Sequence, residues 1–251
     1  MRILFLHPNF PGQLVRPALL ASRHGHQVKF LCQTHFGRKL KGVERITLKG
    51  KLSKDALDEQ KLKGVQHTLG LAEQYLEAMQ ALAKEGWQAD VVVSHSGWGC
   101  GLHSSLVWPK AKRIAYVEWW FDAQSALYKF DPNNRWWVGP TDGHCLRERN
   151  LPLALELSEA EELVTPTHWQ REQLPISLQQ RCQVIPDGVD LNRFKRSKQD
   201  RSVTPLLTYG TRGMEPMRGF PEFVQAIPKL LDSYPNLEVV IAGEDRVAYG
   251  S

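Results

Sequence analysis

The pattern that most constrains this chain is an alternation of β-like apolar runs and helix-like stretches that starts at its first residues. Arg2–Leu6 is an apolar run of strand length, and His7-Pro8-Asn9-Phe10-Pro11-Gly12 reads as a loop. Gln13 to Arg23 then sets Leu14, Ala18 and Leu19 on one helical face, with Gly25 just past its end, and His26–Cys32 is a second strand. Parallel strands need a crossover between them, so strand–loop–helix–strand is the opening of a doubly wound sheet.

The alternation continues. A short strand is expected at Glu44–Leu48, a long helix from Asp55 to Glu85, and strands at Asp90–Ser94 and Arg113–Val117. In the long helix, Leu62, Val65, Leu69, Ala72, Leu76, Met79 and Ala83 recur at three- and four-residue steps and form one stripe. The stripe fits packing on the parent sheet, and a partner helix would fit it too. A polar, Trp-containing connection over Asp131–Asn150 precedes a helix at Leu151–Leu163 and a short strand that exits at Val164-Thr165-Pro166. Thr167-His168-Trp169-Gln170 has the form of a capping box, so Thr167 starts a further helix. Val184–Phe194 reads as a strand, a Pro-Asp-Gly turn and a polar exit, followed by a charged linker over Lys195–Arg201. The expected fold is α/β, a doubly wound, Rossmann-like parallel sheet over residues 1–196, with one further β-α-β unit over 197–251.

Composition narrows the class. The chain has 251 residues, 42% hydrophobic and 24% charged, as an ordinary globular protein has. It contains no apolar run of membrane-spanning length, and its N-terminus is too short, and lacks the cleavage site, for a signal peptide. Cys32, Cys100, Cys145 and Cys182 are scattered, which suits free thiols in a reducing cytoplasm. The net charge of +5 fits anionic ligands or peripheral contact with an anionic membrane. No nucleic-acid motif accompanies it, so nucleic acid is not an expected partner. The Gly12 turn is not a GxGxxG fingerprint, which argues against a dinucleotide-dependent oxidoreductase.

Candidate chemistry gathers at strand ends. His95 closes the nearly all-valine strand and enters the glycine-rich turn Ser96-Gly97-Trp98-Gly99, where a ligand can approach backbone. It serves there either as a ligand contact or as a hydrogen-bonded turn histidine. His95, Cys100 and His103 match no standard zinc spacing and lack a fourth local ligand, so no metal is expected. Glu118 follows the next strand and is itself followed by Trp119, Trp120 and Phe121. A carboxylate beside aromatic faces is expected either to have a raised pKa and act in proton transfer next to a sugar, or to be a hydrogen-bonded support under an aromatic lid. Near the end, Leu206–Tyr209 is a strand, the loop after it carries Gly210, Arg212, Gly213 and Arg218, and a helix runs from Phe220 to Leu231 before a strand at Leu237–Ala242. A helix N-terminus with two guanidinium groups beside it suits phosphate oxygens, and two solvated arginines on a connecting loop would give the same pattern.

Several phrases together resemble the family 4 glycosyltransferases of GT-B architecture. They are His24-Gly25-His26-Gln27-Val28, the His95–Gly99 turn followed by a strand and Glu118-Trp119-Trp120-Phe121, the Thr165–Gln170 segment, the junction-like Val184–Phe194, and above all Arg212–Phe220. The resemblance implies two Rossmann-like domains, an acceptor domain with its junction over 1–196 and a donor domain begun at 197–251. It implies a sugar-nucleotide donor, retention at the anomeric carbon, no cofactor and no required metal, with Arg212 and Arg218 on the donor diphosphate. A carbohydrate or lipid-linked acceptor would meet Gly12, His95, Gly97, Trp98, Gly99 and Glu118, with His95 and Glu118 as the catalytic pair. Many members carry a histidine at the strand end where this chain has Glu118. The family's acidic donor-side E-x7-E motif has no counterpart here, so the donor domain is expected to be incomplete and the chain inactive in transfer by itself. The non-enzymatic alternative is a half-protein that binds acceptor or nucleotide without turnover.

Overall fold

The computed structural model describes residues 1–48, 63–125, 143–195 and 204–246. The start of the helix expected from Asp55, the first part of the connection expected from Asp131, and the linker expected after Lys195 lie outside the described residues. The chain divides into two units, one of Met1–Asp122 with Asp142–Gly188 and one of Ala123–Thr141 with Val189–Ser251.

The first unit holds β1 (Arg2–Leu6), α1 (Val15–Arg23), β2 (Gln27–Cys32), β3 (Val43–Thr47), α2 (Lys63–Lys84), β4 (Val91–His95) and α3 (Ser104–Val107). It continues with β5 (Lys112–Tyr116), α4 (Gly143–Glu159), β6 (Glu162–Thr165), α5 (His168–Glu172), α6 (Ile176–Gln179) and β7 (Cys182–Val184). Its strands form one sheet in the order β3-β2-β1-β4-β5-β6-β7, with every adjacent pair parallel. This is the doubly wound sheet that the alternation predicts.

Strand periodicity explains the layers. Successive side chains of β1 point to opposite faces, so Leu4 and Leu6 join Leu71, Tyr75 and Met79 of α2 while Ile3 and Phe5 join Leu14 and Ala18 on the α1 side. A third cluster packs Leu153 and Leu157 of α4 on Ala115, Val117 and Leu163. Both faces of the sheet are therefore covered, as a parallel sheet requires.

Three local expectations need correction. The buried stripe of α2 runs through Leu71, Ala72, Tyr75, Met79 and Leu82, and Leu69 is exposed. The expected stripe was rotated because it followed aliphatic residues and passed over Tyr75, the largest fully buried side chain of that face. Helix α4 begins at Gly143 rather than Leu151 and continues through Pro152. Proline removes a hydrogen bond within a helix; here Pro152, Leu153 and Leu157 are all buried, and tertiary packing overrides the local cost. The short α6 after Pro175 carries no strong periodicity and was not expected. The cap at Thr167 is as expected: its hydroxyl accepts from the Gln170 N–H at 3.1 Å and donates to Gln170 Oε1 at 2.7 Å.

The second unit contains β8 (Leu206–Gly210), α7 (Phe220–Ser233) and β9 (Glu238–Ala242), with β8 and β9 parallel. The Tyr209 ring lies 5.5 Å from Phe220 and 4.6 Å from Phe223, fastening helix to strand. Among the described residues no helix is long and apolar enough to cross a membrane.

The rotated stripe sets a stability contrast within two positions of one helix. Leu71→Ala empties a fully buried site and is expected to cost about 3 kcal/mol in urea unfolding, against about 0.5 kcal/mol or less for Leu69→Ala, which is 42% exposed. A loss at Leu69→Ala as large as or larger than that at Leu71→Ala would overturn this assignment of the packed face.

Candidate functional site

The strand order reverses between β1 and β4, and such a switch point leaves a crevice at the carboxyl ends of the strands. His7 follows β1, His95 ends β4, and Glu118 lies just beyond β5, so each comes to that edge because its strand stops there. The rings of His7 and His95 meet edge to face at 4.6 Å, and His95 lies 5.3 Å from the Tyr116 ring.

One hydrogen-bond chain joins these groups, and its direction follows from a backbone amide. The Asn9 N–H donates to His7 Nδ1 at 2.8 Å, so Nδ1 is the bare nitrogen and Nε2 carries the proton. His7 Nε2 then donates to Gln13 Oε1 at 3.0 Å, which turns the amide so that Gln13 Nε2 donates to Glu118 Oε1 at 2.8 Å. His95 Nε2 lies 3.2 Å from Glu118 Oε2, and its Nδ1 lies 3.2 Å from the Ser96 carbonyl. Both of its nitrogens face oxygen acceptors.

The charges agree with that wiring. Burial, with the neighbouring His95, lowers the His7 pKa from 6.5 to about 4 against the pull of Gln13 and Glu118. His7 is thus a neutral imidazole. The raised pKa expected for Glu118 is not found: burial alone would raise it, but the hydrogen bond and charge of His95, with Gln13 and His7 behind them, hold its carboxyl below the usual range. Beneath this edge, Glu156 of α4 is fully buried, and burial raises it to about 7 although Ser94, His95 and Gly101 favour its charged form. Ser94, the residue before His95, donates to Glu156 Oε1 at 2.6 Å.

Side-chain amides hold the backbone of the acidic segment. Gln170 Nε2 donates to the Glu118 carbonyl at 3.1 Å. The Asn150 amide pairs with Phe121 in both directions, accepting from its N–H at 3.0 Å and donating to its carbonyl at 2.7 Å. The aromatic residues of that segment have separate tasks: Trp120 packs on the α4 cluster, Trp119 meets the Trp169 ring at 6.0 Å, and Phe121 lies under Arg149 at 4.0 Å. The sequence reading singled out His95 and Glu118, which the fold brings together. It missed His7, Gln13, Gln170 and Asn150. Gln170 had a signal in the phrase around Thr167, and His7 had one in its position directly after the first strand.

The glycines divide as well. Gly12 has φ +51, and a side-chain carbon there would come 2.5 Å from His7 Nε2, so the bare backbone seats the imidazole. Gly99 has φ +79 and lies where a side-chain carbon would meet the Thr68 carbonyl of α2 at 2.4 Å. Its role is close packing on that helix. Gly97 gives the turn its positive φ, and Trp98 packs against the α2 cluster. Cys100 is buried in the same cluster, and burial pushes its thiol well up, which suits packing.

In the second unit, Arg212 and Arg218 line an open cleft of about 410 Å³ with Tyr209, Gly210 and Thr211. Arg218 is oriented from below. Its Nε lies 3.3 Å from Oε1 of the fully buried Glu215, and its carbonyl accepts from the Tyr209 hydroxyl at 2.7 Å. Gly219, in the left-handed region, then starts α7.

His7 and Glu156 pull stability in opposite directions with pH. The folded His7 pKa lies below 6.5, so the unfolded state takes up a proton first and stability falls as pH drops from 6.5 to about 4, by roughly 3 kcal/mol. The folded Glu156 pKa lies above 4.5, so its contribution is lost as pH rises from 4.5 to about 7. Glu156→Gln removes the second effect. Urea unfolding of that variant is expected to show a fall in stability from pH 7 to 4.5 that is steeper than in the parent protein by roughly 2–3 kcal/mol. Parallel pH profiles would show that Glu156 does not hold a proton in the folded state.

Comparison with known proteins follows this geometry. No curated protein sequence matches the chain. Its fold is similar to that of the catalytic domain of starch synthase IV from Arabidopsis thaliana bound to ADP and acarbose, with a TM-score of 0.61 and 12% identity over 98% of this chain and 69% of that one. It is similar to WaaG, a glycosyltransferase involved in lipopolysaccharide biosynthesis, with a TM-score of 0.59 and 18% identity over 98% of this chain and 64% of that one. A trehalose-6-phosphate protein from E. coli, bound with UDP-2-fluoro glucose, gives a TM-score of 0.58 and 11% identity over 98% and 65%. The chain thus spans 64–69% of the length of these solved chains. These likenesses carry the GT-B fold. The model of the glycosyl transferase family 4 group matches residues 24–194, from the end of α1 through β7. The chain belongs to the glycosyl transferase family 4 group.

Proposed function

We propose that this chain serves glycosyl transfer from a nucleoside-diphosphate sugar to a carbohydrate or lipid-linked acceptor, with retention at the anomeric carbon. The observation that carries the reading is the His7–Gln13–Glu118–His95 chain at the switch point of a sheet in a glycosyltransferase family. Two of the fold relatives hold a nucleotide or a nucleotide-sugar analogue, which supports that donor class.

Exposure divides the labour at the first unit's edge. The Glu118 side chain is 34% exposed and that of His95 only 5%. The acceptor hydroxyl therefore meets Glu118, whose carboxylate oxygens each take one donor from the protein and keep a lone pair for it. His95 stands behind, fixing the carboxylate and balancing its charge. In the second unit, Arg212 and Arg218 would offset the diphosphate charge that grows as the glycosidic bond breaks, and this role calls for no metal. A cytoplasmic setting, with the excess of basic residues available to an anionic membrane face, accords with the free thiols.

Two charge-assisted contacts of about 1.5–3 kcal/mol each support UDP or ADP binding on the order of millimolar. Titration is expected to show binding that weakens as salt rises and disappears in Arg212→Ala/Arg218→Ala. In a transfer assay with a complete donor domain present, Glu118→Gln is expected to lower the rate by about 10²-fold while leaving nucleotide binding unchanged. Nucleotide binding that ignores both arginines and salt would overturn the donor half of the reading, and full transfer by Glu118→Gln the acceptor half.

A further inference from the structure

The loop between β2 and β3 is a hydrogen-bonded platform that the site described above does not use. It leaves the same carboxyl edge of the sheet, and its base is stitched to the His7 loop. Gln33 and Thr34 both donate backbone N–H groups to the Pro8 carbonyl at 2.9 Å, the Phe10 N–H donates to the Thr34 carbonyl at 2.7 Å, and the Thr34 hydroxyl donates to Asn9 Oδ1 at 2.7 Å. Further out, the Arg38 N–H donates to the His35 carbonyl at 2.8 Å and the Gly37 N–H to His35 Nδ1 at 3.1 Å. Arg45 of β3 donates to the Arg38 carbonyl, and Leu40 turns inward onto the α1-side cluster.

This framework holds an aromatic ring out of the core. Phe36 is 78% exposed and has φ +47, an unfavourable conformation for a bulky residue. No burial offsets either cost. The Arg38 guanidinium lies 5.7 Å from the Phe36 ring, and Lys39 and Lys41, both exposed like Arg38, follow in the same loop. Acid is absent from this part of the sequence: the first acidic residue of the chain is Glu44, and it is paired with Lys29 at 2.6 Å. An exposed ring offers a face to the C–H face of a sugar, and the cations beside it select a negative substituent.

We propose that the β2–β3 loop is the recognition site for an anionic saccharide, with Phe36 stacking on a sugar ring and Arg38, Lys39 and Lys41 binding its phosphate or carboxylate. The inference rests on the reading of this unit as the acceptor side of a glycosyltransferase, and it names the acceptor class as negatively charged. The feature selects for ring and charge together, so neutral sugars and inorganic phosphate alone are weaker partners.

The test uses the whole 251-residue chain with glucose 6-phosphate, glucuronate, glucose and inorganic phosphate as probes, followed by NMR or calorimetry. The two anionic sugars are expected to bind at least 10-fold more tightly than glucose or phosphate. Phe36→Asn keeps a residue that tolerates the left-handed backbone while removing the ring, and is expected to lose about 10-fold in affinity, with Phe36→Tyr restoring it. Arg38→Gln/Lys39→Gln/Lys41→Gln is expected to abolish the preference for anionic sugars. Affinities for the anionic sugars that these variants leave unchanged, or that do not exceed those for glucose and phosphate, would overturn the proposal. So would Phe36-dependent binding to phosphatidylglycerol-containing vesicles without binding of soluble anionic sugars, since it would assign the loop to a lipid surface. UDP titration of the same variants separates the two readings. Retained UDP binding with lost sugar discrimination supports this proposal, and UDP binding without any anionic-sugar binding defeats it while the donor half of the functional reading stands.

Discussion

A parallel sheet cannot fill the gap where its winding reverses. Strand β1 is followed on one side by β2 and β3, and the chain must cross back over to place β4 on the other side. The crossovers leave from different faces, and such a reversal opens a crevice at the carboxyl ends of β1 and β4. Everything chemical in the first unit follows from that vacancy at the switch point. The loops after β1, β4 and β5 deliver His7, His95 and Glu118 to it; the Asn9 N–H fixes the His7 ring, and the Gln170 and Asn150 amides hold the backbone of the segment after β5.

What the sequence made legible followed from periodicity. Strand alternation and helix stripes depend on neighbours a few residues apart, so the order of elements, the cap at Thr167 and the strand ends at His95 and Glu118 could be read directly. The helix α4 shows the limit of that method. Its residues 143–150 read as polar connection because Leu146 and Asn150 are buried by partners distant in sequence, and Pro152 gives a local signal that tertiary packing overrides. The stripe on α2 erred for a related reason: Tyr75 counts as amphipathic in a sequence pattern, yet its ring is wholly buried beneath the sheet.

The site was legible by half. His95 and Glu118 stand at strand ends and carry chemistry on their face. Gln13, by contrast, sits 105 residues from the carboxylate it bonds, in a stretch whose helical face drew attention to Leu14 and Ala18. Its role depends on a proton position at His7 that is decided by the Asn9 backbone amide. No pattern along the chain encodes such a direction, because it arises only once three loops meet. Glu156 was hidden in the same way, as one of several glutamates on a helix until burial singled it out.

Tyr116 adds a mechanical link. Its phenol donates to Asp187 Oδ1 at 2.8 Å, in the Pro186-Asp187-Gly188 turn by which the chain leaves the first unit. Burial, with the acceptor Asp187, pushes the phenol far above any pH at which the fold is tested, so it acts as a donor throughout. The same ring lies 5.3 Å from the His95 imidazole. The exit turn, the phenol and the histidine that meets Glu118 thus form one unbroken run of contacts. The path by which the backbone departs is, in this way, one of the bearings on which the carboxylate is mounted.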